Sequence, residues 1–321
     1  MRTIRIKFVD FFPAWNEENN FIIRALRKKY DVEFSDQPDY LICSCFGDES
    51  LKYRDCVKIF WTGEDLTPDF NLYDYGIAYD HLTFGDRYLR FPFFAIADNV
   101  KKAVEVHETA VEQAAQKTGF CSFVVSNGNA NPIREEMFHL LSEYQPVASG
   151  GRFLNNVGGP VEDKIEFQSH YKFCIAFEND SSDGYTSEKI LDAFRSGAIP
   201  IYWGNRYISN DFNPAAFINC HDFASLEQVV AYVKEVDNDP QLYQKILSEP
   251  MFIDHQIPHN FTSEGLEEFL YRIIDQPIEQ AKRIAEFSFK RTYTTNQKEK
   301  ADYFHLMHHN ILYKIMHKVV K

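Results

Sequence analysis

Apolar and polar residues alternate over several short stretches near the start of the chain. Between two of these stretches, apolar residues recur at helical spacing. The alternation predicts strands at residues 4–9, 39–45 and 57–61. Apolar positions recurring at helical spacing predict an amphipathic helix over residues 17–29, and residues 75–79 form a further candidate strand. Strands and helices that alternate in this way are typical of a parallel sheet covered by helices on both faces.

The same alternation returns in the second part of the chain. It predicts strands at 121–125, 171–177 and 198–203, and helices at 132–144, 187–196, 226–236 and 240–247. A polar, helix-prone stretch with few large apolar residues, 98–117, separates the two patterned parts. We therefore expect one domain over residues 1–117, a second over 118–278, and a basic helical segment over 279–321.

Composition excludes some classes of protein. With 321 residues the chain is long enough for two domains, and a net charge of -13 opposes binding to nucleic acid, which requires many basic contacts. The N-terminus has no signal-peptide pattern, and no apolar run is long enough to span a membrane, so the sequence predicts a cytoplasmic protein.

The C-terminal end differs from the rest because it is locally basic. Residues 305–321 combine apolar side chains with Lys and His at helical spacing. Such a helix can lie on anionic lipid at the inner face of a membrane, or it can pack back on the domains with its lysines exposed. The sequence leaves both alternatives open.

Nothing in the spacing of metal-ligating residues favours a metal site. The six cysteines are scattered, and Cys43 and Cys45 share one face of a predicted strand, which favours a buried core position. The Asp-Asn-Asp run at 237–239 lies between two predicted helices, where Asp239 can cap the helix that Pro240 begins. We therefore expect no metal.

Most of the candidate site residues lie in 171–204, where the pattern predicts a strand, a polar loop, a helix and a second strand. In such a unit the helix N-terminus lies at the carboxyl edge of the sheet and favours an anion. Ser187 can cap this helix, and Lys189 follows in its first turn, where a bound pyrophosphate would offset the unfavourable cation. The alternative is that Glu188 and Lys189 are ordinary surface charges.

A second basic residue has a matching setting. Asn131 can cap a helix that begins at Pro132, with Arg134 in its first turn. An Arg side chain can donate to two phosphate oxygens at once. The alternative is a surface charge pattern with Glu135 or Glu136.

A carboxylate, Glu64, follows the predicted strand 57–61 and therefore lies at the carboxyl edge of the first sheet. A carboxylate at this place can accept the proton of a sugar hydroxyl that attacks an anomeric carbon. An acidic residue after a strand is also a common turn or cap, and this alternative stays open. No GxGxxG run is present, which argues against a dehydrogenase.

These residues stand in motifs that resemble the α1,3-fucosyltransferases of glycosyltransferase family 10, especially the bacterial Helicobacter-type enzymes. The resemblance spans most of the chain. Its motifs, in chain order, are WTGED, DRYLRFP, NPIRE, YKFCIAFEN, YTSEK, IPIYWG and DFNPAAFINCHDF.

The resemblance implies an α/β protein with a GT-B fold of two Rossmann-like domains facing a cleft, with C-terminal helices. It implies inverting transfer of L-fucose from GDP-fucose to O3 of N-acetylglucosamine in a lactosamine-type glycan, as in Lewis antigens, without a further cofactor. By motif, Glu64 would be the general base. Nucleotide-sugar binding would fall to Arg134, Asn179, Tyr185, Glu188 and Lys189, with Glu178 as a weaker candidate.

Two other functions remain compatible with these residues. Phosphate-binding side chains do not identify the sugar, so a GT-B transferase that uses another sugar nucleotide is one alternative. A glycan-binding protein that has lost turnover is the other, and the presence of Glu64, Arg134 and Lys189 argues against it.

Overall fold

The computed structural model describes residues 1–285 and 288–309. These residues form two compact units. Unit 1 contains Met1–Ala78, Thr83–Leu89 and the described residues from Phe269 onward, and unit 2 contains Tyr79–Leu82 and Arg90–Glu268. Each unit is built on a parallel sheet with helices, so the predicted α/β class is confirmed.

Unit 1 is organised by a six-stranded sheet with the strand order β2-β1-β3-β4-β5-β6. Its strands are β1 (Arg2–Val9), β2 (Tyr30–Phe34), β3 (Tyr40–Cys43), β4 (Val57–Trp61), β5 (Tyr75–Ala78) and β6 (Tyr88–Arg90). β1 pairs in parallel with β2 and β3, β3 with β4, and β4 with β5. The segments that follow β1, β3 and β4 therefore lie at one edge of the sheet.

Strand β2 was missed by the sequence analysis. The predicted helix over 17–29 is shorter in the structure: α1 (Phe21–Arg27) begins after Asn20, whose side-chain oxygen accepts the N–H of Ile23. The chain after α1 forms β2, in which apolar and charged residues alternate. That alternation is the signal of a strand at the edge of a sheet, and it was readable in the sequence.

Unit 2 contains a five-stranded sheet with the order β11-β10-β9-β7-β8, and its strand pairs are parallel. The strands are β7 (Gly119–Phe123), β8 (Val147–Ser149), β9 (Tyr171–Phe177), β10 (Ile199–Trp203) and β11 (Ile218–Asn219). The last five residues of β9 and all of β10 are buried, as expected for central strands of a sheet covered on both faces.

The helices connect these strands and cover the sheets. Those of unit 2 are α2 (Asn99–His107), α3 (Ala110–Gln113), α4 (Ile133–Ser142), α5 (Lys164–Ser169), α6 (Glu188–Arg195), α7 (Leu226–Asn238) and α8 (Pro240–Ser248). Helix α9 (Ser263–Asp275) runs from unit 2 into unit 1, followed by α10 (Ile278–Ala281) and α11 (Phe289–His309).

The polar stretch over 98–117 belongs to unit 2 rather than separating two units. Helix α2 buries Val100, Ala103 and His107 and packs against α6. Three buried positions on one face are enough to attach a helix that carries several polar residues. The domain boundaries at 117 and 278 stay a prediction, while the contacts of the chain divide it near residues 79–90 and 268.

The run 237–239 has the structural role expected from the sequence. The Asp239 side chain accepts the N–H groups of Gln241 and Leu242 and caps α8. Asp237 pairs with Lys172 at 2.6 Å. Over residues 1–285 and 288–309, no group of three or more His, Cys, Asp or Glu side chains is arranged to hold a metal.

The predicted membrane helix over 305–321 lies mostly outside the described residues, which end at 309. Its contact with lipid therefore stays a prediction. Among the helices that the structure does describe, none has the length and apolar character needed to cross a bilayer.

Candidate active site

The candidate site lies at the carboxyl end of β9 in unit 2. Glu178 and Asn179 follow directly after the last strand residue, Phe177, and α6 begins at Glu188 after a short loop. In a parallel sheet, ligands bind at this edge, where helix N-termini present unpaired N–H groups. The predicted strand-loop-helix-strand unit is confirmed, with Ser187 at the N-cap position of α6.

Glu178 is the centre of this site. Its carboxylate is completely buried, and it accepts the backbone N–H of Ser187 at 2.7 Å, the Ser187 hydroxyl at 2.6 Å and the Lys189 ammonium at 2.8 Å. Lys189 also donates to the Ser187 hydroxyl oxygen at 2.8 Å. A buried carboxylate requires such donors, so these bonds hold the start of α6 against the end of β9.

One expectation about this helix start was wrong, and so was one of the alternatives. The Ser187 side chain does not cap α6, because its hydroxyl donates to Glu178 instead. Lys189 is not an exposed surface charge, since its side chain is only 13% exposed and is paired with Glu178. The carboxylate of Glu178 thus explains a cation in the first turn without a bound anion.

Arg134 reaches the same strand end from α4. The side-chain oxygen of Asn131 accepts the N–H of Ile133 at 3.2 Å, so Asn131 acts as a cap although the helix begins one residue later than predicted. Arg134 is 2% exposed, and its Nη1 donates to the side-chain oxygen of Asn179 at 2.7 Å. The alternative of a surface charge pattern with the exposed Glu135 is therefore wrong.

The guanidinium of Arg134 is not fully satisfied. Its Nε and Nη2 atoms are buried and have no hydrogen-bond acceptor in the described part of the chain. Burial lowers the pKa of Arg134, while the nearby Glu178 carboxylate raises it, and an Arg side chain stays charged at neutral pH in either case. Two donors of a buried cation thus remain available for an anionic acceptor.

The other predicted residues lie around this pair of cations. Tyr185 is buried, and the centre of its ring is 4.8 Å from that of Tyr79. Burial favours a higher pKa for Glu188, but the nearby Lys189 and Lys164 ammonium groups bring that pKa below its ordinary value. Five of the predicted donor-site residues thus lie close together, Tyr185 lies in the loop before α6, and the roles of all six stay predictions.

The residues that hold the loop between β9 and α6 were not predicted from the sequence. The buried Asn205 accepts the N–H of Gly184 at 2.8 Å and donates to the Thr186 hydroxyl at 3.1 Å. Arg90 donates to the Gly184 carbonyl at 3.1 Å and makes two bonds of 2.7 Å to Asp211. Asn205 lies two residues after the end of strand β10, a position that the rule applied to Glu64 would also have identified.

Gly184 shows why this loop needs its particular sequence. Its φ of +92° lies in the left-handed region, and a Cβ there would lie 2.7 Å from the Tyr79 carbonyl oxygen. Only glycine combines this backbone conformation with so close an approach. The conformation of the loop in turn determines where Tyr185 is presented.

Glu64 lies in unit 1, after β4, as predicted. Its side chain is exposed, and its backbone N–H donates to the Thr62 hydroxyl at 2.9 Å, which closes a tight turn at the strand end. A further backbone bond joins the N–H of Leu66 to the Glu64 carbonyl at 2.8 Å. The turn is therefore real, and the carboxylate that it presents is accessible to solvent.

Comparison with known proteins identifies the class. The chain resembles a crystal structure of an α1,3-fucosyltransferase with GDP-fucose, with 29% identity and a TM-score of 0.72 over 86% of this chain and 92% of the other. A second crystal structure, of α1,3-fucosyltransferase with GDP, gives 30% identity and a TM-score of 0.73. The fold is thus that of a GT-B protein with two Rossmann-like sheets.

Sequence comparison identifies the family within that class. Residues 6–97 match the α-(1,3)-fucosyltransferase FucT N-terminal domain, and residues 114–248 match the C-terminal domain of glycosyltransferase family 10. The chain is 34% identical over 278 residues to the α-(1,3)-fucosyltransferase FucT of Helicobacter pylori, covering 73% of this chain and 58% of that enzyme. The chain therefore belongs to glycosyltransferase family 10, and it spans a little over half the length of this relative.

Proposed function

We propose that this protein transfers L-fucose from GDP-fucose to O3 of N-acetylglucosamine in a lactosamine-type glycan, with inversion at the fucose carbon. The single observation that carries the proposal is the incompletely satisfied guanidinium of Arg134, beside the Lys189 and Glu178 pair. The names of similar proteins support fucose as the sugar and α-(1,3) as the linkage.

The proposed donor site matches the charge of a nucleoside diphosphate. Lys189 is paired with Glu178, whereas two donor atoms of Arg134 have no partner among the described residues and can serve the diphosphate. Departure of GDP places negative charge on the phosphate oxygen that leaves the sugar. A nearby, preorganised guanidinium stabilises that charge more in the transition state than in the bound donor.

The acceptor side of the reaction requires a base. As the bond between the acceptor oxygen O3 and fucose C1 forms, the bond between C1 and the phosphate oxygen breaks, and the hydroxyl proton passes to the Glu64 carboxylate. Attack from the face opposite the leaving group inverts the configuration at C1. The exposed side chain of Glu64 is consistent with this role because the acceptor must reach it directly.

The test uses labelled GDP-fucose, N-acetyllactosamine and the full chain, with linkage analysis of the product. Glu64→Gln should lower transfer by about 10²- to 10⁴-fold, because general-base catalysis is lost, while the calorimetric Kd for GDP-fucose stays unchanged. Asp65→Asn is the matched control, since Asp65 is an exposed carboxylate in the same turn and should retain activity.

Three other outcomes would each contradict a different part of the proposal. Full activity in Glu64→Gln would show that another group accepts the proton. Tighter binding of UDP than of GDP would favour a transferase for another sugar nucleotide. Binding of GDP-fucose and glycan by the wild-type protein without product would favour a glycan-binding protein that lacks turnover.

A further inference from the structure

Aromatic side chains collect at one edge of the unit 1 sheet, where β1, β3 and β4 end. Phe11, Phe12 and Trp15 follow β1, Phe46 follows β3, and Trp61 is the last residue of β4. This is the edge at which Glu64 also follows β4. The cluster is made by three strands, so it is a feature of the folded sheet.

The inner part of the cluster is a closely packed group of rings. The ring centres of Phe11 and Trp15 are 4.3 Å apart, and those of Trp15 and Trp61 are 5.3 Å apart. The indole N–H groups of Trp15 and Trp61 are both buried, and neither has an acceptor within the described residues. Two buried donors without acceptors cost free energy, so this group of rings is not explained by stability alone.

The outer part of the cluster is open to solvent. Phe12 is 37% exposed and Phe46 is 49% exposed, and their ring centres are 5.9 Å apart with the ring planes at 83°. The edge-on arrangement prevents the two rings from covering each other face to face. Single exposed apolar residues are ordinary, but a neighbouring pair above a packed aromatic layer is a small apolar surface that can bind a ligand.

The loops that carry these two rings are held together. The Phe46 N–H donates to the Asp10 carbonyl at 2.8 Å, and the Asp10 carboxylate accepts the N–H groups of Glu49 and Ser50 at 2.7 and 3.0 Å. Asp10 itself has a φ of 64°, in the left-handed region. Strained backbone of this kind persists only where surrounding bonds hold it, and it is frequent at binding sites.

The pair of rings is connected to the turn that presents Glu64. The Cys45 sulfur lies 3.4 Å from the Thr62 hydroxyl oxygen, and that same oxygen accepts the Glu64 N–H at 2.9 Å. Phe46 is thus one residue from this contact, and Glu64 is two residues from it. A sugar placed on the rings would lie next to the turn that carries the proposed base.

We propose that Phe12 and Phe46, here called the aromatic platform, bind one pyranose ring of the acceptor glycan through its apolar C–H face. An aromatic face carries negative charge density, which attracts sugar C–H groups, and an exposed ring retains its hydrophobic surface for this contact. The inference rests on the proposed function, because it assigns the acceptor to the sheet edge of Glu64. It adds the residues that orient the acceptor.

The test compares Phe12→Ala and Phe46→Ala with the wild-type protein. Each change should raise the KM for N-acetyllactosamine about tenfold, with kcat and the KM for GDP-fucose nearly unchanged. Phe46→Trp should retain the wild-type KM, whereas Phe46→Leu, which is apolar but not aromatic, should resemble Phe46→Ala. This order separates ring stacking from simple apolar burial.

Phe84→Ala is the matched control. Phe84 is 41% exposed, lies in unit 1 and packs against Phe70 at 4.8 Å. Its neighbour Arg87 donates to the carbonyl of Asp74, directly before β5, which places this pair at the opposite edge of the sheet. Equal KM values for Phe46→Ala and Phe84→Ala would overturn the platform.

Direct binding keeps this test separate from that of the proposed function. Saturation-transfer NMR with N-acetyllactosamine, with and without GDP, measures acceptor binding in the absence of turnover. Loss of the signal in the Phe12→Ala/Phe46→Ala double variant, but not in Phe84→Ala, supports the platform even if the wild-type protein transfers no fucose. An unchanged signal in the double variant would overturn the platform while leaving fucose transfer unaffected.

Discussion

The starts of α4 and α6 place one cation each at the end of the same strand, but the two cations have different surroundings. Lys189 at α6 is paired with the buried Glu178 and with the Ser187 hydroxyl. Arg134 at α4 makes one side-chain bond, to Asn179, and two of its nitrogen atoms have no acceptor among the described residues. Similar sequence settings therefore lead to different electrostatic environments.

The difference indicates that the two cations have different roles. The bonds of Lys189 and Glu178 hold the helix in place whether or not a ligand is bound. Arg134 is buried at a cost, because its charge has lost water without gaining a full set of partners. Under the proposed function, a bound diphosphate would satisfy these donors, and part of the cost of burying Arg134 would be recovered on binding.

The largest expected effect follows from removing the Arg134 charge. Arg134→Met should lower kcat/KM by about 10²- to 10³-fold, because one preorganised donor to the leaving group is lost. The melting temperature without ligand should stay the same or rise, because a poorly satisfied buried cation is replaced by an apolar side chain of similar length. Steady-state kinetics and calorimetry of the same preparation check both expectations.

Arg134→Lys is the informative control for this change. It keeps a positive charge but cannot donate to two oxygens in the fixed geometry of a guanidinium, so only part of the activity should return. A marked loss of stability in Arg134→Met would show that Arg134 is structural and would remove the contrast with Lys189.

The next effect is on stability. Lys189→Met should lower the free energy of unfolding by about 3 kcal/mol, because it leaves the buried Glu178 carboxylate without its cation. Urea unfolding measures this loss, which Arg134→Met should not share. An exposed salt bridge contributes little to stability, so a loss of this size would distinguish the buried Lys189 and Glu178 pair from a surface pair.

A double variant tests the reason for that loss. Lys189→Met combined with Glu178→Gln removes both charges, and it should recover part of the lost stability because no buried charge remains unpaired. If the double variant is less stable than Lys189→Met alone, Glu178 is held mainly by the Ser187 bonds and the ion pair matters less than we infer.

The smallest effect concerns pH. The pKa of Glu188 lies below its ordinary value, so this group stabilises the folded state above the pKa of the unfolded chain, which is about 4.3. That contribution is lost as the pH falls through the lower folded-state pKa. Urea unfolding between pH 7 and pH 3 should show the stability difference between wild type and Glu188→Gln shrinking at the acid end, and a difference that grows there would contradict the assignment.

The central strands of both sheets were predicted, and the four edge strands, β2, β6, β8 and β11, were not. Strands β4 and β9 have the predicted bounds, because a short apolar run between polar segments has few other ways to bury itself. The edge strand β2 was missed because half of its residues are solvated and its pattern is weaker. Packing against α6 also decided that α2 belongs to unit 2, which its own polar sequence did not show.

The candidate site was predicted in its members but not in its organisation. The motifs predicted Arg134 and Lys189 as donor-site residues, and both lie beside the end of β9. Glu178, the weakest candidate from the sequence, is the buried carboxylate with which Lys189 is paired. Asp211 was not predicted, because its bonds to Arg90 join positions that are distant in the chain.

The sequence by itself determined the central strands, several of the helices, the family and the residue types at the strand ends, because local patterns and motifs are read along the chain. Only the tertiary structure decided which charges are paired, which are buried without partners and which aromatic rings meet. Those properties depend on the distances between segments after folding, and the cost of a buried charge depends on every group that surrounds it.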